Sequence, residues 1–549
     1  MTSSRSTSAG PSNSAFLGLS RGTLGCGARN TDGNVRVNQD CGFRPQNETS
    51  IKVNPNDFDN LIGGMNDYRT GEGFQGFAFS IDGGRSWGDG LVPFTNHRND
   101  PQPGHTVLGG PGTFHTYEAY SDPGLAWDSQ GNAFFSAVNF DRTTFASGVF
   151  VTISPQVKGA FYAAVPSTGP RFMAAEDNNP FVVHDKPFVT ADFYPGSRFR
   201  DNVYVTWTVF DESCKDVNNN PAYCKSPIYF SRSSDHATTW TQPKPISGNN
   251  PALCFFGDFF GNPADLPNDC NFDQGSDPIV LPNGDLVVTF NNGNTPAGNP
   301  NAQQLAVVSH DAGDTWVGPF KVGDDVVVGE PQCADAPGEC IPGADIRTND
   351  FPRIAVNRKD GHLFVVWQDY RTGEFDIHLS ASYDGGYTWR EAAAPVNPDQ
   401  GKDHYFPAVD TVSPYPAEEG YERHDGRKGD LVVVSYFRTG RVPGENVPLH
   451  LFTTADPGVR AENTDYAVAA GQGLATPYAA RRVAPESPPP SFIGFNGDYS
   501  GVAVVGTVAH PIWSDARNQA PPALNGPDFQ DEDVFTDAVS IPVDDDRGH

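Results

Sequence analysis

Short apolar runs separated by polar turns dominate the chain, and the stretch 349–389 shows the pattern most clearly. Phe351–Val356, His362–Trp367 and Phe375–Ala381 are each rich in apolar or β-branched residues, which favour strands. Lys359-Asp360-Gly361 is a turn signal between the first two runs, because Asp and Gly tolerate the backbone angles of a tight turn. No long stretch has the periodicity of an amphipathic helix. The pattern therefore predicts an all-β chain with little helix.

The same unit recurs along the chain, and seven copies with three or four strands each are evident. Their spacing averages roughly seventy residues, longer than in compact propeller repeats, which indicates long loops. Antiparallel sheets repeated radially form a β-propeller. The last unit shows only three strands, so the isolated strand Val35–Asn38 is predicted to complete it and close the ring. The sequence thus predicts a seven-bladed β-propeller, with a six-bladed one as the alternative. The predicted limits are 1–32 for a flexible leader, 33–542 for the propeller and 543–549 for an acidic tail.

An octapeptide of the form S-x-D-x-G/A-x-S/T-W follows the third predicted strand of four units. The copies are Ser80–Trp87, Ser233–Trp240, Ser309–Trp316 and Ser382–Trp389. The Asp can accept hydrogen bonds from turn amides, and the Trp can pack against the sheet. The motif resembles the Asp-box of the sialidase-type propellers, and the resemblance covers about residues 34–540. It implies a propeller whose octapeptides lie on the face away from the active site, so their Asp and Trp residues are expected to be structural.

The net charge indicates which partners suit the chain, and the cysteine content indicates its cellular compartment. The 549 residues include 37 basic and 67 acidic side chains, a net charge of −30, which disfavours nucleic acid and anionic membranes. No apolar run is long enough for a transmembrane helix. The eight cysteines fall into close pairs, which indicates four loop disulfides, an oxidising compartment and secretion. The pairs are Cys26/Cys41, Cys214/Cys224, Cys254/Cys270 and Cys333/Cys340.

Two sets of polar residues are expected at the mouth of the channel, where first strands begin and second strands end. The first set precedes the first strands and comprises Glu48, Asp122, Asp185, Asp277, Asp350, Asp403, His404 and Asp498. The second set follows the second strands and supplies Arg69, Arg142, Arg371, Arg438 and Arg517. Guanidinium groups bind carboxylates through paired hydrogen bonds, and clustered carboxylates supply acids and bases. The alternative for each arginine is an ion pair with an acidic neighbour in an adjacent blade.

Candidate roles follow from these two sets and from the loop before the second unit. The predicted catalytic residues are Glu118, Asp350, His404, Tyr405, Asp498 and Tyr499. The predicted substrate-binding residues are Arg69, Arg142, Arg371, Arg438, Arg517 and Asp185. The sialidase resemblance implies three arginines around a sialate carboxylate, a Tyr nucleophile activated by a Glu, and an Asp acid. The family's Phe-Arg-Ile-Pro motif is replaced here by Phe351-Pro352-Arg353-Ile354, so Arg353 is not assigned that role.

The leading functional prediction is a secreted carbohydrate-active enzyme that hydrolyses acidic glycans in the manner of a sialidase. A uronate polysaccharide lyase is one alternative, because arginine can neutralise a uronate while His or Tyr removes the adjacent proton. A non-catalytic glycan- or protein-binding propeller is the other. The predicted partner is an acidic glycan or glycoconjugate, without nucleic acid or membrane insertion, and the oligomeric state is open. The sequence indicates no definite cofactor, and the ring of carboxylates is an alternative site for Ca²⁺.

Overall fold

The N-terminal strand β1 (Val35–Arg36) pairs with a strand near the C-terminal end of the chain. Val35 lies opposite Thr536 and Arg36 opposite Phe535, so the two ends of the propeller share one sheet. The predicted closure is confirmed. The structure is a computed structural model that describes residues 31–93, 96–98, 114–163, 173–215, 221–254, 269–295, 302–327, 330, 332, 339–341, 346–415, 430–440, 464–486, 497–518 and 532–542. The predicted tail and residues 1–30 of the predicted leader lie outside these ranges.

Seven antiparallel sheets form the blades, numbered here from the N-terminus; six have four strands, and the seventh has the short β35 as a fifth. Strands follow one another from the channel outwards, and β1 supplies the outermost strand of blade 7. Blade 1 contains β2 (Gln46–Asn54), β3 (Asp57–Asp67), β4 (Phe74–Ser80) and β5 (Gly88–Leu91); blade 2 contains β8 (Ala119–Trp127), β9 (Ala133–Phe140), β10 (Ser147–Ser154) and β11 (Met173–Asp177); blade 3 contains β12 (Val182–Ala191), β13 (Val203–Asp211), β16 (Ile228–Ser233) and β17 (Lys244–Pro245). Blade 4 contains β18 (Asp273–Val280), β19 (Leu286–Asn292), β20 (Ala302–Ser309) and β21 (Val317–Asp325); blade 5 contains β24 (Arg353–Val356), β25 (Leu363–Asp369), β26 (Asp376–Ser382) and β27 (Arg390–Glu391). Blade 6 contains β28 (Lys402–Thr411), β29 (Leu431–Gly440), β30 (Thr464–Gln472) and β31 (Ala479–Arg482); blade 7 contains β32 (Gly501–Val505), β33 (Val508–Asp515), β34 (Asp533–Thr536) and β1. The remaining short strands are β6 (Asn96–Arg98) with β7 (Phe114–Thr116), β14 (Cys214–Lys215) with β15 (Pro221–Ala222), β22 (Glu339–Ile341) with β23 (Ile346–Thr348), and β35 (Val539–Ser540) beside β33.

The first strands of neighbouring blades contact one another in a closed ring, from β2 through β8, β12, β18, β24, β28 and β32 back to β2. Large aromatic side chains on second strands, such as Trp207, Trp367 and Trp513, are fully buried in the sheets' packing. Each blade therefore buries both faces against its neighbours, as a closed repeat requires. The seven-bladed prediction is confirmed, the six-bladed alternative is excluded, and the described residues contain no helix.

The four octapeptides form the same turn between the third and fourth strands. In the last copy, the Ser382 hydroxyl donates to Asp384 at 2.8 Å, and Asp384 also accepts from the Thr388 amide and hydroxyl at 2.9 and 2.6 Å. The Trp389 indole donates to the Gly386 carbonyl at 2.9 Å. Corresponding bonds recur around Asp82, Asp235 and Asp311. The Asp side chains therefore hold the turn together, on the face opposite the starts of the first strands.

Replacing Asp384 by Ala is expected to lower the free energy of unfolding by about 1–2 kcal/mol while leaving any catalysis unchanged. The change removes the acceptor of several turn hydrogen bonds, and a typical net bond contributes about 1 kcal/mol. Thermal unfolding of the variant beside the exposed control Arg390→Ala measures the effect. A selective loss of activity with an unchanged melting temperature would contradict the structural role.

Two of the four predicted disulfides lie within the described residues. Cys214 bonds to Cys224 and Cys254 to Cys270, each within a loop as predicted. Cys26 and Cys333 lie outside the described residues. In the part of the chain that the structure describes, no helix has the length and hydropathy needed to cross a membrane.

Candidate functional site

A bulge near the start of the first strand shapes the channel mouth in five blades. There the register with the second strand shifts, and one residue takes a left-handed backbone conformation. The five residues and their φ angles are Glu48 (54°), Asp122 (62°), Lys186 (48°), Gly275 (64°) and Phe406 (49°). This conformation costs a non-glycine residue about 1 kcal/mol or more, and such strain concentrates at functional sites. The bulges direct Glu48, Asp122 and Lys186 towards one another.

Blade 4 has glycine at its bulge for a steric reason. A Cβ on Gly275 would lie 2.3 Å from the ring of Phe351, far inside van der Waals contact. Because Phe351 precedes the first strand of the next blade, the two blades can approach only if residue 275 lacks a side chain. Blade 4 therefore adds no side chain from its bulge to the mouth.

A cavity of about 840 Å³ opens at this mouth, and its walls come from blades 1 to 5 and 7. The volume lies in the usual range for a small-molecule or sugar site. Acidic residues outnumber basic ones in its walls. The ionisable lining residues are Glu48, Tyr68, Asp122, Asp141, His184, Asp185, Lys186, Glu339, Arg347, Asp350 and Asp498.

Lys186 lies at the centre of a carboxylate group formed by Glu48, Asp122 and Asp498. Its ammonium group is 3.1 Å from Asp122 and 3.8 Å from Glu48, and it makes a very short contact with Asp498. All four side chains are more than nine-tenths buried, so solvent screens their charges little. One lysine thus compensates carboxylates from three blades and holds the mouth together.

Arg347 supplies the second basic group of the cavity. It lies on β23, which forms a hairpin with β22 between blades 4 and 5. One of its terminal nitrogens is 2.7 Å from both Asp498 oxygens, and the Asn349 amide donates to the Asp498 carbonyl at 2.9 Å. Burial would raise the pKa of Asp498, but the charges of Lys186 and Arg347 lower it to about 2. Asp498 is therefore ionised across the physiological range.

Asp185 has the opposite electrostatic environment. Burial raises its pKa to about 7, and the charges of Asp122 and Asp498 add to that effect while Lys186 opposes it. Burial and Asp122 likewise raise the pKa of Glu48 well above its usual value. The cavity thus contains carboxyl groups with a raised pKa, Asp185 among them, beside one that stays ionised, which is the pairing that acid–base chemistry requires.

His184 lines the same wall in a defined tautomer. The Trp207 indole donates to His184 Nδ1 at 3.0 Å, and an indole N–H can only donate. Nδ1 therefore carries no proton, and the neutral ring carries its proton on Nε2. His184 can donate a hydrogen bond from Nε2, but it cannot accept a proton there while the Trp207 bond persists.

The structure brings together three of the twelve predicted site residues. Asp185, Asp350 and Asp498 line the cavity, on three different blades. Asp350 is almost completely buried and lies beside Glu330 and Glu339. The proposal for the chemistry of Asp185, Asp350 and Asp498 rests on their shared location in this cavity.

The five predicted arginines lie outside the cavity lining, and four of them pair with carboxylates of their own blade. Arg69 bonds to Asp67, Arg371 to Asp369, Arg438 to Asp465 and Arg517 to Asp515. Exposed Arg142 pairs with Glu72 across a blade boundary at 3.0 Å. Because each side chain turns towards an acidic partner, the arginines do not meet at one point. Their role in substrate binding stays a prediction.

The other predicted catalytic residues also lie outside the cavity lining. Exposed Glu118 accepts hydrogen bonds from the loop at Arg142 and Thr143. His404 is fully buried and lies 3.1 Å from Asp399, and Tyr405 is buried in an aromatic cluster with Phe406 and Phe437. Tyr499 donates to the Pro123 carbonyl at 3.2 Å. Each of these four side chains therefore already has contacts within the protein, and these contacts do not involve a substrate.

Sequence reasoning did not single out Lys186 and Arg347. A signal for Lys186 exists, because Asp122-Pro123 and Lys186-Pro187 occupy the same bulge position. Aligning the units on that proline, instead of on acidic residues, would have placed Lys186 beside Asp122. Arg347 carries no comparable signal, since it lies on the β22–β23 hairpin between blades 4 and 5, outside the repeated strands.

No family model matches the chain, and no curated protein matches it. Solved structures with a similar arrangement include the Hadza microbial sialidase Hz136, at 12% identity, with 88% of this chain and 74% of that chain covered and a TM-score of 0.43. A Penicillium chrysogenum α-L-arabinanase covers 81% of this chain and 98% of its own, at 12% identity and a TM-score of 0.37. A PL25 ulvan lyase covers 71% and 76%, at 13% identity and a TM-score of 0.38. These likenesses are too distant to assign a reaction to this chain.

Proposed function

We propose that the chain is a glycoside hydrolase whose active site is the cavity at the channel mouth. The observation that carries the proposal is the presence in one cavity of Asp185, with a raised pKa, and Asp498, with a lowered one. In the proposed mechanism Asp185 protonates the leaving oxygen of the glycosidic bond. Ionised Asp498 stabilises the positive charge that develops on the sugar ring, or activates water against it.

The cavity rim supports a sugar substrate. Phe145 and Val183 both line the cavity, and their side chains are 65% and 43% exposed. Large apolar side chains left exposed beside a polar cavity are typical of ligand sites, and an aromatic ring can cover the apolar face of a sugar. Polar groups inside the cavity, including the Asn349 amide, would orient the hydroxyl groups.

The charge of the cavity bears on the predicted acidic glycan. Lys186 and Arg347 are the basic lining residues, and both already contact Asp498. A sugar carboxylate would therefore approach a wall with an excess of acidic groups, which is unfavourable. We propose an uncharged glycan as the preferred substrate. The acidic glycan is the alternative that the glycan panel described below also tests.

A uronate lyase remains the second candidate, because Arg347, His184 and Tyr68 line one cavity. A lyase needs a base that removes a proton next to the uronate. His184 is unsuited, since Nε2 carries the proton in the tautomer that Trp207 fixes. Burial raises the pKa of Tyr68 well above its usual value, which makes its phenolate costly to form. The site therefore favours hydrolysis.

A panel of sialylated, uronate-containing and neutral glycans tests the proposal. Incubation with the protein is expected to release saturated sugar from a neutral glycan, detected as new reducing ends. Unsaturated sugar, which absorbs in the ultraviolet, would instead support the lyase. Binding without any product would support the non-catalytic alternative, and activity restricted to sialylated glycans would support the acidic substrate over the uncharged one.

Activity is expected to fall as the pH rises through about 7, because Asp185 must carry its proton to act as the acid. On the alkaline limb kcat/KM should drop by about tenfold per pH unit. The acidic limb should lie well below pH 5, since the pKa of Asp498 is about 2. A pH profile of kcat/KM on the best substrate measures both limbs. A rate that rises through pH 7 would contradict the assignment of Asp185.

Secretion is part of the proposal. The two disulfides, Cys214–Cys224 and Cys254–Cys270, support folding in an oxidising compartment. Recovery of the protein from the culture medium of its natural host, with both bonds intact, would test this point.

A further inference from the structure

A second group of carboxylates lies at the wall of the cavity, between blades 4 and 5. Glu330, Glu339 and Asp350 each present an oxygen, and these oxygens all lie within 4.8 Å of one another. Asp325, at the end of β21, is close enough to add to the repulsion on each glutamate. Glu339 and Asp350 also line the cavity. We call these four residues the blade 4–5 carboxylates.

The carboxylate of Asp350 points into this group without a donor. The residue is 4% exposed, and neither carboxylate oxygen accepts a hydrogen bond from any residue that the structure describes. Glu330 Oε1 and Asp325 Oδ1 are also buried, and neither accepts a hydrogen bond from the described residues. Buried polar atoms are nearly always satisfied, so several unsatisfied oxygens that face one another indicate a missing partner.

Among the residues that the structure describes, no basic side chain provides that partner. The strongest charges acting on Asp325, Glu330 and Asp350 are other carboxylates. The sequence contains no Lys, Arg or His from residue 322 to residue 346. Of the flanking arginines, Arg347 holds Asp498 and Arg371 holds Asp369. By contrast, the first carboxylate group surrounds a basic side chain, Lys186.

We propose that the blade 4–5 carboxylates bind one divalent cation, with Ca²⁺ as the preferred ion. Ca²⁺ takes carboxylate oxygens at about 2.3–2.6 Å, so oxygens on opposite sides of one ion lie about 5 Å apart, in keeping with the observed spacing. Mg²⁺ retains water and binds fewer carboxylates, which suits a buried anionic group less well. The ion would neutralise charge that the protein leaves uncompensated.

The ion would also connect three separate segments. Asp325 ends blade 4, Glu339 belongs to the hairpin strand β22, and Asp350 precedes blade 5. Arg347 lies on the partner strand β23, directly across from Cys340. The ion would therefore fix the hairpin that brings Arg347 to Asp498. This inference concerns cation binding and stands whether or not the cavity hydrolyses glycans.

Calorimetric titration of the chelator-treated full chain with CaCl₂, paired with thermal unfolding, tests the proposal. One ion is expected to bind, and saturating Ca²⁺ should raise the melting temperature by at least about 3 °C. MgCl₂ at the same concentration should give a smaller shift. No heat of binding and no shift would overturn the proposal, and would indicate carboxyl groups that share protons instead.

The double variant Glu330→Gln/Asp350→Asn localises the ion. Its amides remove charge repulsion, so its metal-free melting temperature should equal or exceed that of the unmodified chain, while its Ca²⁺ response disappears. The control Asp314→Asn, at an exposed turn, should keep the full response. A Ca²⁺ shift of unchanged size in the double variant would place the ion elsewhere and overturn the assignment.

Discussion

Replacing Asp498 by Asn is expected to lower the turnover of the glycan substrate by at least about a hundredfold. The proposed role of Asp498 depends on a negative charge, which Lys186 and Arg347 maintain by lowering its pKa to about 2. The amide has nearly the same shape but no charge, so it can neither stabilise a positive sugar ring nor activate water. Steady-state kinetics on the best glycan of the panel measures the loss.

The matched control for this change is Asp314→Asn, which removes an equally charged carboxylate that is 67% exposed on the opposite face. Its turnover should stay within about twofold of the unmodified chain, as expected for a surface substitution. Near-ultraviolet circular dichroism of Asp498→Asn should show that the aromatic packing persists. A well-folded Asp498→Asn variant with undiminished turnover would remove Asp498 from the mechanism.

Replacing Lys186 by Met is expected to lower the free energy of unfolding by about 3–5 kcal/mol at neutral pH. The methionine preserves most of the side-chain volume but leaves the carboxylates of Glu48, Asp122 and Asp498 facing one another in a buried site. Removal of one partner from a buried ion group is strongly destabilising, because the remaining charge is uncompensated. Thermal unfolding near neutral pH measures the effect.

Lys158→Met is the control, because Lys158 also pairs with an aspartate but is 53% exposed. Its loss should change stability by no more than about 1 kcal/mol, as for other surface ion pairs. The difference between the two variants should shrink in acid, where the carboxylates near residue 186 become protonated. Equal melting temperatures for both variants at neutral pH would show that Lys186 does not hold the mouth together.

The fold was predictable because each blade repeats the same local signals. Strand runs, turn residues and the octapeptides recur in register, and the missing strand of the last unit pointed to Val35–Asn38. Closure needs no knowledge of side-chain contacts, since an unpaired sheet edge is unfavourable wherever it occurs.

The site was predictable only in part, because strand ends give the position of a residue along the channel but not the direction of its side chain. Acidic residues before the first strands did reach the mouth, as Asp185, Asp350 and Asp498 illustrate. Four of the five arginines after the second strands turned back to carboxylates of their own sheets, such as Asp369 beside Arg371. Three of these pairs, such as Arg371 with Asp369, join residues only two positions apart, so the sequence does contain the partners. It does not show whether a side chain turns to that neighbour or into the channel.

The charge balance of the mouth depends on two residues that the repeat hides. Lys186 takes the place that an acidic residue has in blades 1 and 2, and Arg347 comes from the β22–β23 hairpin between blades 4 and 5. Together they separate the pKa of Asp498 from that of Asp185. The residues of the proposed chemistry thus lie at positions where the blades differ in sequence, whereas the residues that the blades share form the scaffold.

A crystal structure of the Asp185→Asn variant with its glycan substrate tests the central claim most directly. The variant lacks the proposed proton donor, so it should retain an intact glycan. The account predicts sugar density inside the mouth cavity, with the glycosidic oxygen within hydrogen-bond distance of residue 185 and a sugar ring against Phe145. Sugar bound instead at the Arg371 or Arg438 rim, with the cavity filled only by water, would contradict it.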